Sequence, residues 1–97
     1  MSQEVQIIEV YTAKFAGAAT EVPVKKELFS AVIEKLKAVG AEEKKSREDL
    51  IEYFKDGVKI CSIVLRRVRA TAGGKPVEYH YHTLVIEPTL VLLSLLP

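Results

Sequence analysis

The sequence predicts an α+β fold, in which one amphipathic helix packs on a mostly antiparallel sheet of about four strands. Two observations lead to this fold class. One segment repeats apolar residues at helical spacing, and the segments around it alternate apolar and polar residues as strands do. Asp-Gly and Gly-Gly pairs separate the later segments, as in tight hairpin turns. The expected order is β-α-β-β-β, followed by an apolar C-terminal helix or strand, all within one domain of 97 residues.

The first half of the chain predicts one strand and one helix. Residues 5–15 alternate as a strand, and residues 16–23 are small residues closed by a proline, which indicates a loop. Residues 25–39 predict the helix, and Gly40 follows at the position of a left-handed C-terminal cap. The apolar stripe of this helix comprises Leu28, Phe29, Val32, Ile33, Leu36 and Val39.

Residues 41–49 are nearly all charged, so they indicate a solvated linker or an exposed extension of the helix. Residues 50–55 are ambiguous between helix and strand. The strand is favoured because Asp56-Gly57 follows, and this pair suits a type I′ hairpin turn.

A long hairpin is predicted next, with strands at residues 58–70 and 76–86 and a turn at residues 71–75. Residues 89–96 are mostly apolar, and their periodicity fits either a short buried helix or a final strand.

The hairpin strands carry more apolar residues than one helix can cover. Ile60 and Val64 are expected on one face, with Cys61, Ile63 and Leu65 on the other. A strand that is apolar on both faces needs cover on both. The favoured interpretation is a homodimer that covers the second face, and the alternative is that the C-terminal segment folds back and completes the monomer.

Composition bounds the function. The net charge of +1 and pI of about 7.8 give no general attraction to nucleic acid or anionic membrane, so electrostatic function would need local clustering. The single cysteine, Cys61, excludes an internal disulfide, and its apolar surroundings indicate a core residue. The lack of disulfides and of a visible secretion signal favours an intracellular setting. The longest apolar run is too short for a membrane span. The chain has no Asn, and Lys and Glu lead its charged residues, as in heat-adapted proteins.

One local cluster stands out on the distal half of the predicted hairpin. Residues 66–82 carry four Lys or Arg residues against Glu78 alone. On a two-stranded ribbon, basic side chains can bind phosphates and aromatic side chains can stack on bases. The ribbon itself can enter a major groove. A solvated hairpin tip is the plainer interpretation. The candidate nucleic-acid-binding residues are Arg66, Arg67, Arg69, Lys75, Tyr79 and Tyr81.

His80 and His82 form the second cluster. Residues two apart on a strand point to one face about 7 Å apart, so two imidazoles in this arrangement can share a divalent metal. One further alternative is Glu9 or Glu52 beside Tyr11 or Tyr53 on the sheet faces, although nothing in the sequence brings these side chains together. No cofactor is predicted. The sequence therefore favours a non-catalytic interaction protein, a homodimer that binds DNA or RNA through the basic hairpin. The alternatives are a purely structural or viral accessory subunit and a small metal-dependent enzyme that uses His80 and His82.

Overall fold

The computed structural model describes residues 4–88, which form one helix and a six-stranded mixed sheet. The elements in chain order are β1 (Gln6–Phe15), β2 (Val22–Pro23), α1 (Lys26–Ala38), β3 (Glu42–Arg47), β4 (Leu50–Lys55), β5 (Val58–Ala72) and β6 (Lys75–Ile86). The strand order across the sheet is β2-β1-β6-β5-β4-β3. The α+β class is confirmed, whereas four antiparallel strands understate the sheet. The element predicted at residues 89–96 lies outside the described residues.

The first and last strands pair side by side, and this pairing makes the sheet mixed. β1 runs parallel to β6 along its whole length, from Gln6 opposite Val77 to Phe15 opposite Ile86. The hydroxyls of Thr12 and Thr83 lie 2.8 Å apart in a buried hydrogen bond between these two strands. The strands from β3 to β6 form an antiparallel meander. The chain between β1 and β6 thus contains α1 and four further strands.

The prediction for residues 41–49 was wrong, because this segment contains β3. Every residue of β3 is exposed, so no apolar periodicity marks it. Its side chains instead bond to β4: the Tyr53 hydroxyl donates to Glu43 at 2.7 Å, and Ser46 donates to Glu52. Residues 16–23, predicted as a loop, likewise include the two-residue strand β2.

The predicted helix is confirmed to within one residue at each end, and so is its glycine cap. Gly40 has a φ of 83°, a backbone conformation that is energetically unfavourable for residues with a Cβ. Its N–H donates to the Lys37 carbonyl at 3.1 Å, and the Ala41 N–H donates to the Leu36 carbonyl at 2.9 Å. These two bonds make a Schellman motif. The Lys55 ammonium donates to the Val39 carbonyl at 2.6 Å and ties the helix end to β4.

The core lies between α1 and one face of the sheet. Phe29, Val32 and Leu36 pack against a buried set on the strands that comprises Tyr53, Ile60, Cys61 and Leu84. The predicted position of Ile60, on the face opposite Cys61, was wrong. A β-bulge opposite Tyr53 and Phe54 places two residues of β5 against the core side, and both Ile60 and Cys61 are fully buried there.

The remaining turns follow the predicted chemistry. Residues 50–55 form β4, and Asp56 and Gly57 then have φ values of 51° and 79°. Gly73 and Gly74, which join β5 to β6, also have positive φ. The molecule is elongated, 52 × 24 × 23 Å. Within residues 4–88, no helix has the length and apolar character that a membrane crossing requires.

Leu36→Ala should lower the free energy of unfolding by about 2–5 kcal/mol, because Leu36 is 1% exposed and its loss leaves a cavity under α1. Leu28→Ala is the matched control. Leu28 is 51% exposed on the same helix, so its removal should cost about 1 kcal/mol or less. Urea titration of both variants measures the difference, and equal losses would place the core elsewhere.

The Cys61 thiol should resist alkylation in the folded protein. Burial raises its pKa to about 12, so the reactive thiolate is scarce at pH 8. A maleimide should therefore label the native protein far more slowly than the urea-unfolded chain. Native labelling at the unfolded rate would show that Cys61 is not enclosed by α1 and β4.

Candidate interaction surfaces on the distal sheet

The sheet continues well beyond the core. The strand residues in the core cluster under α1 extend no further than Tyr11 on β1, Ile63 on β5 and Leu84 on β6. Past them lie residues 6–10 of β1, 66–72 of β5 and 75–82 of β6, which we call the distal sheet. Val77 is buried there, outside the cluster under α1. The distal sheet has one face on the same side as α1, the α1 face, and a second face that we call the opposite face.

Strand alternation divides the six predicted nucleic-acid-binding residues between the two faces. Tyr11 contacts the core, so its cross-strand partner His82 marks the α1 face of β6. Every second residue of a strand lies on the same face, so the positions of His82 and of its β5 partner Leu65 assign a face to each candidate residue. The opposite face carries Arg66, Lys75, Tyr79 and Tyr81, and the α1 face carries Arg67 and Arg69. Adjacent residues of β5 cannot therefore serve one flat ligand with their side chains.

The opposite face brings an arginine onto two tyrosines. The Arg66 guanidinium carbon lies 4.6 Å from the centroid of the Tyr81 ring, which is a cation–π contact. The Tyr79 and Tyr81 rings are 6.2 Å apart, with an interplanar angle of 29°. Both tyrosines are half-buried, and Val68, which pairs with Tyr79, is 40% exposed. This face is thus an aromatic and apolar surface with a cation at its edge.

The α1 face places the two predicted metal-binding histidines beside carboxylates. His80 Nε2 lies 3.3 Å from Glu78 Oε1, and His82 Nε2 lies 3.7 Å from Glu9 Oε1. Both Nε2 atoms are buried and lack a partner with hydrogen-bond geometry. Within residues 4–88, no group of three or more His, Cys, Asp and Glu side chains is placed to hold a metal ion. The two imidazoles share a face but gain no third ligand.

Tyr11 connects this cluster to the core. Its ring stacks on His82 with centroids 4.7 Å apart and packs edge-on against Phe29 at 5.1 Å. Its hydroxyl donates to Glu9 at 3.1 Å. Burial and, after it, the Glu9 carboxylate raise the pKa of Tyr11. The arrangement holds β1, β6 and α1 together at the point where the core ends.

The hairpin is not the isolated ribbon that a major groove would admit. β1 pairs with β6 as far as Gln6 opposite Val77, so β6 lies inside a three-stranded sheet for most of its length. Only the few residues around Gly73 and Gly74 extend past β1. A broad sheet face, rather than a protruding ribbon, is what this end of the molecule presents.

The distal part of β5 is an open sheet edge, which our sequence reasoning missed. Pairing with β4 ends at Leu50 opposite Val64, and the Leu65 N–H donates to the Asp49 carbonyl at 2.9 Å just beyond it. From Arg66 to Ala72 every residue is exposed. The signal was present in the sequence, since the strand predicted at residues 58–70 is about twice as long as the one at residues 50–55.

Comparison with known proteins finds no matching family model, no matching curated protein and no matching solved structure. Function is therefore inferred from the chemistry of the distal sheet.

Glu9→Gln should lower the pKa of Tyr11 toward its ordinary value, because the substitution removes the negative charge beside the phenol. A raised pKa in the folded state stabilises the fold below about pH 10, and this stability is lost as the pH rises through the folded pKa. An NMR titration of the Tyr11 ring carbons measures the shift. An unchanged midpoint would show that the Tyr11–Glu9 bond does not form.

Proposed function

We propose that this protein is a non-catalytic interaction protein that binds single-stranded nucleic acid on the opposite face of the distal sheet. The observation that carries the proposal is the stack of Arg66 on Tyr81, beside Tyr79, on the sheet face away from α1. Bases of any identity stack on aromatic rings, and arginine both stacks on bases and pairs with phosphates.

The geometry favours a single strand over a duplex. Bases reach a tyrosine face only when they are unstacked and unpaired, as in single-stranded segments. A flat sheet face offers such bases a platform whose backbone is fixed by hydrogen bonds on both sides of β6. A duplex would instead require an element that enters a groove, and the two-stranded part of this hairpin is short.

The charges support a contact with few phosphates. Arg66 and Lys75 lie on the opposite face, and Arg67 and Arg69 add positive potential from the other side of the same strand. None of the ion pairs found among residues 4–88 involves these arginines. If Arg66 and Lys75 each neutralise one phosphate, log K should fall with log salt at a slope of about −1.4, since each single-strand phosphate contributes about −0.7.

Tyr81→Leu should weaken binding of a labelled oligothymidylate of twelve nucleotides, because leucine keeps apolar volume but has no aromatic ring to stack on a base. Loss of one base–ring stack costs about 1–3 kcal/mol, or roughly 5- to 150-fold in Kd. Fluorescence anisotropy at low salt measures the change, and circular dichroism checks that the fold is retained. Tyr81→Phe keeps the ring and should bind like the wild type.

Arg66→Gln should weaken the same binding and make its salt dependence less steep. Lys35→Gln, the same change of charge on the exposed side of α1, is the matched control and should alter neither. An affinity that falls equally in both variants would show that only net charge matters. Full binding by Tyr81→Leu and Arg66→Gln would remove the proposal.

A second function is favoured by the apolar content of the same face. Ile8 and Val10 on β1 lie opposite Tyr79 and Tyr81, and Val68 follows on β5, so an apolar band crosses three strands. A second copy of the chain could bury this band, as in a purely structural or viral accessory subunit. Light scattering after size-exclusion chromatography separates the two functions. A dimer that dissociates in the Val68→Lys variant, and that does not bind the oligonucleotide, would favour the structural subunit.

A further inference from the structure

We propose that the open edge of β5, from Arg66 to Ala72, accepts an acidic extended segment of a partner protein as an additional strand. This surface is separate from the opposite face, because it uses the backbone edge of β5 and the arginines of the α1 face. The partner strand would pair with residues 66–72 of β5, on the side where β4 pairs with the first half of β5.

The backbone of this edge is oriented for strand addition. The Leu65 N–H points toward the β4 side, where it donates to the Asp49 carbonyl. Hydrogen-bonding groups alternate in direction along a strand, so the N–H and C=O groups of Arg67, Arg69 and Thr71 also point to that side. The described residues place no strand there, since β4 ends its pairing at Val64.

The edge is long enough to hold a strand of ordinary length. Seven residues separate the end of the β4 pairing from the Gly73-Gly74 turn, counting Arg66 to Ala72. At about 3.3 Å per residue this edge extends for roughly 23 Å, which matches a mean strand of five or six residues. Strand addition at an exposed edge is an established way to bind extended peptides, in which backbone bonds give affinity and side chains give specificity.

The charges of the edge select an acidic partner over a second copy. Residues 66–72 contain three arginines and no carboxylate of their own, although Glu78 pairs with Arg69 from β6. Two copies paired along residues 66–72 would bring arginine-bearing strands together. Glutamates on an incoming strand would instead lie across from Arg67 and Arg69, and each opposite-charge pair of this kind is favourable. The charges that would oppose self-association thus favour a segment of the opposite sign.

A notch of about 700 Å³ marks where the incoming strand would end. It lies between the β3–β4 turn and β5 and is lined by Lys45, Arg47, Glu48, Asp49, Leu65 and Arg67. Arg47 and Asp49 already form an ion pair, at 3.5 Å. The acidic residues of the partner are therefore expected over Arg67 and Arg69 rather than beside the turn carboxylates.

The test uses the full chain and a fluorescein-labelled seven-residue peptide of alternating Glu and Val, with an alternating Lys and Val peptide as its counterpart. The Glu peptide should bind, and it should slow amide hydrogen exchange at Arg67, Arg69 and Thr71. The double variant Arg67→Glu and Arg69→Glu should lose at least ten-fold in affinity for the Glu peptide and gain affinity for the Lys peptide. The double variant Lys35→Glu and Lys37→Glu on α1 carries the same charge change and should bind as the wild type does.

Thr71→Pro tests the backbone contribution without changing charge. Proline is tolerated on an edge strand where its missing N–H faces away from the sheet, so the fold should persist while peptide binding falls several-fold. Tyr81→Leu should leave peptide binding intact, which keeps this proposal distinguishable from nucleic-acid binding.

Three results would overturn the proposal. They are equal affinity for the Glu and Lys peptides, exchange protection outside residues 66–72, and protection of the edge by a second copy or by the oligonucleotide in place of the peptide.

Discussion

The helix α1 is much shorter than the hairpin of β5 and β6, and the main features of the structure follow from this mismatch. A helix of 13 residues is about 20 Å long, whereas a strand of 15 residues extends for about 50 Å. The helix therefore covers only the part of the sheet that holds Tyr53, Ile60, Cys61 and Leu84. The remainder of the strands is held together by backbone pairing, and β1 supplies part of it by pairing with β6 from Val77 to Ile86.

The distal sheet follows from this mismatch, and so do its different surfaces. Without a helix of its own, each strand position there shows one side chain to the α1 face and the next to the opposite face. The α1 face is polar, with glutamates beside His80 and His82. The opposite face is aromatic and apolar, and Arg66 lies over its Tyr81 ring. β4 is shorter still, which leaves the backbone of β5 open next to the arginines. The surfaces proposed for binding thus lie beyond the part of the sheet that α1 covers.

Much of this fold could be predicted because its signals are local. The helix α1 and its Gly40 cap, the Asp56-Gly57 turn and the strand at residues 50–55 all rest on spacing or on positive φ, and they were confirmed. The apolar stripe of α1 was confirmed in part, because Leu28 is 51% exposed. β3 left no such signal, because none of its side chains is buried. The bulge that turns Ile60 inward and the parallel pairing of β1 with β6 arise from contacts between distant segments, which no local pattern records. The sequence placed the six candidate residues on one hairpin but did not divide them between its two faces, although Arg66 and Arg67 are neighbours on a strand and must point apart.

Binding on the opposite face is tested most directly by a residue-resolved NMR map of the protein with unlabelled oligothymidylate added at low salt. We expect chemical-shift changes concentrated on Arg66, Val68, Tyr79 and Tyr81 and their β1 neighbours, which reverse when salt is added, with α1 and β3 unchanged. Shifts centred on α1, on β3 or on the His80 and His82 face, or none at all, would show that the opposite face of the distal sheet does not bind nucleic acid.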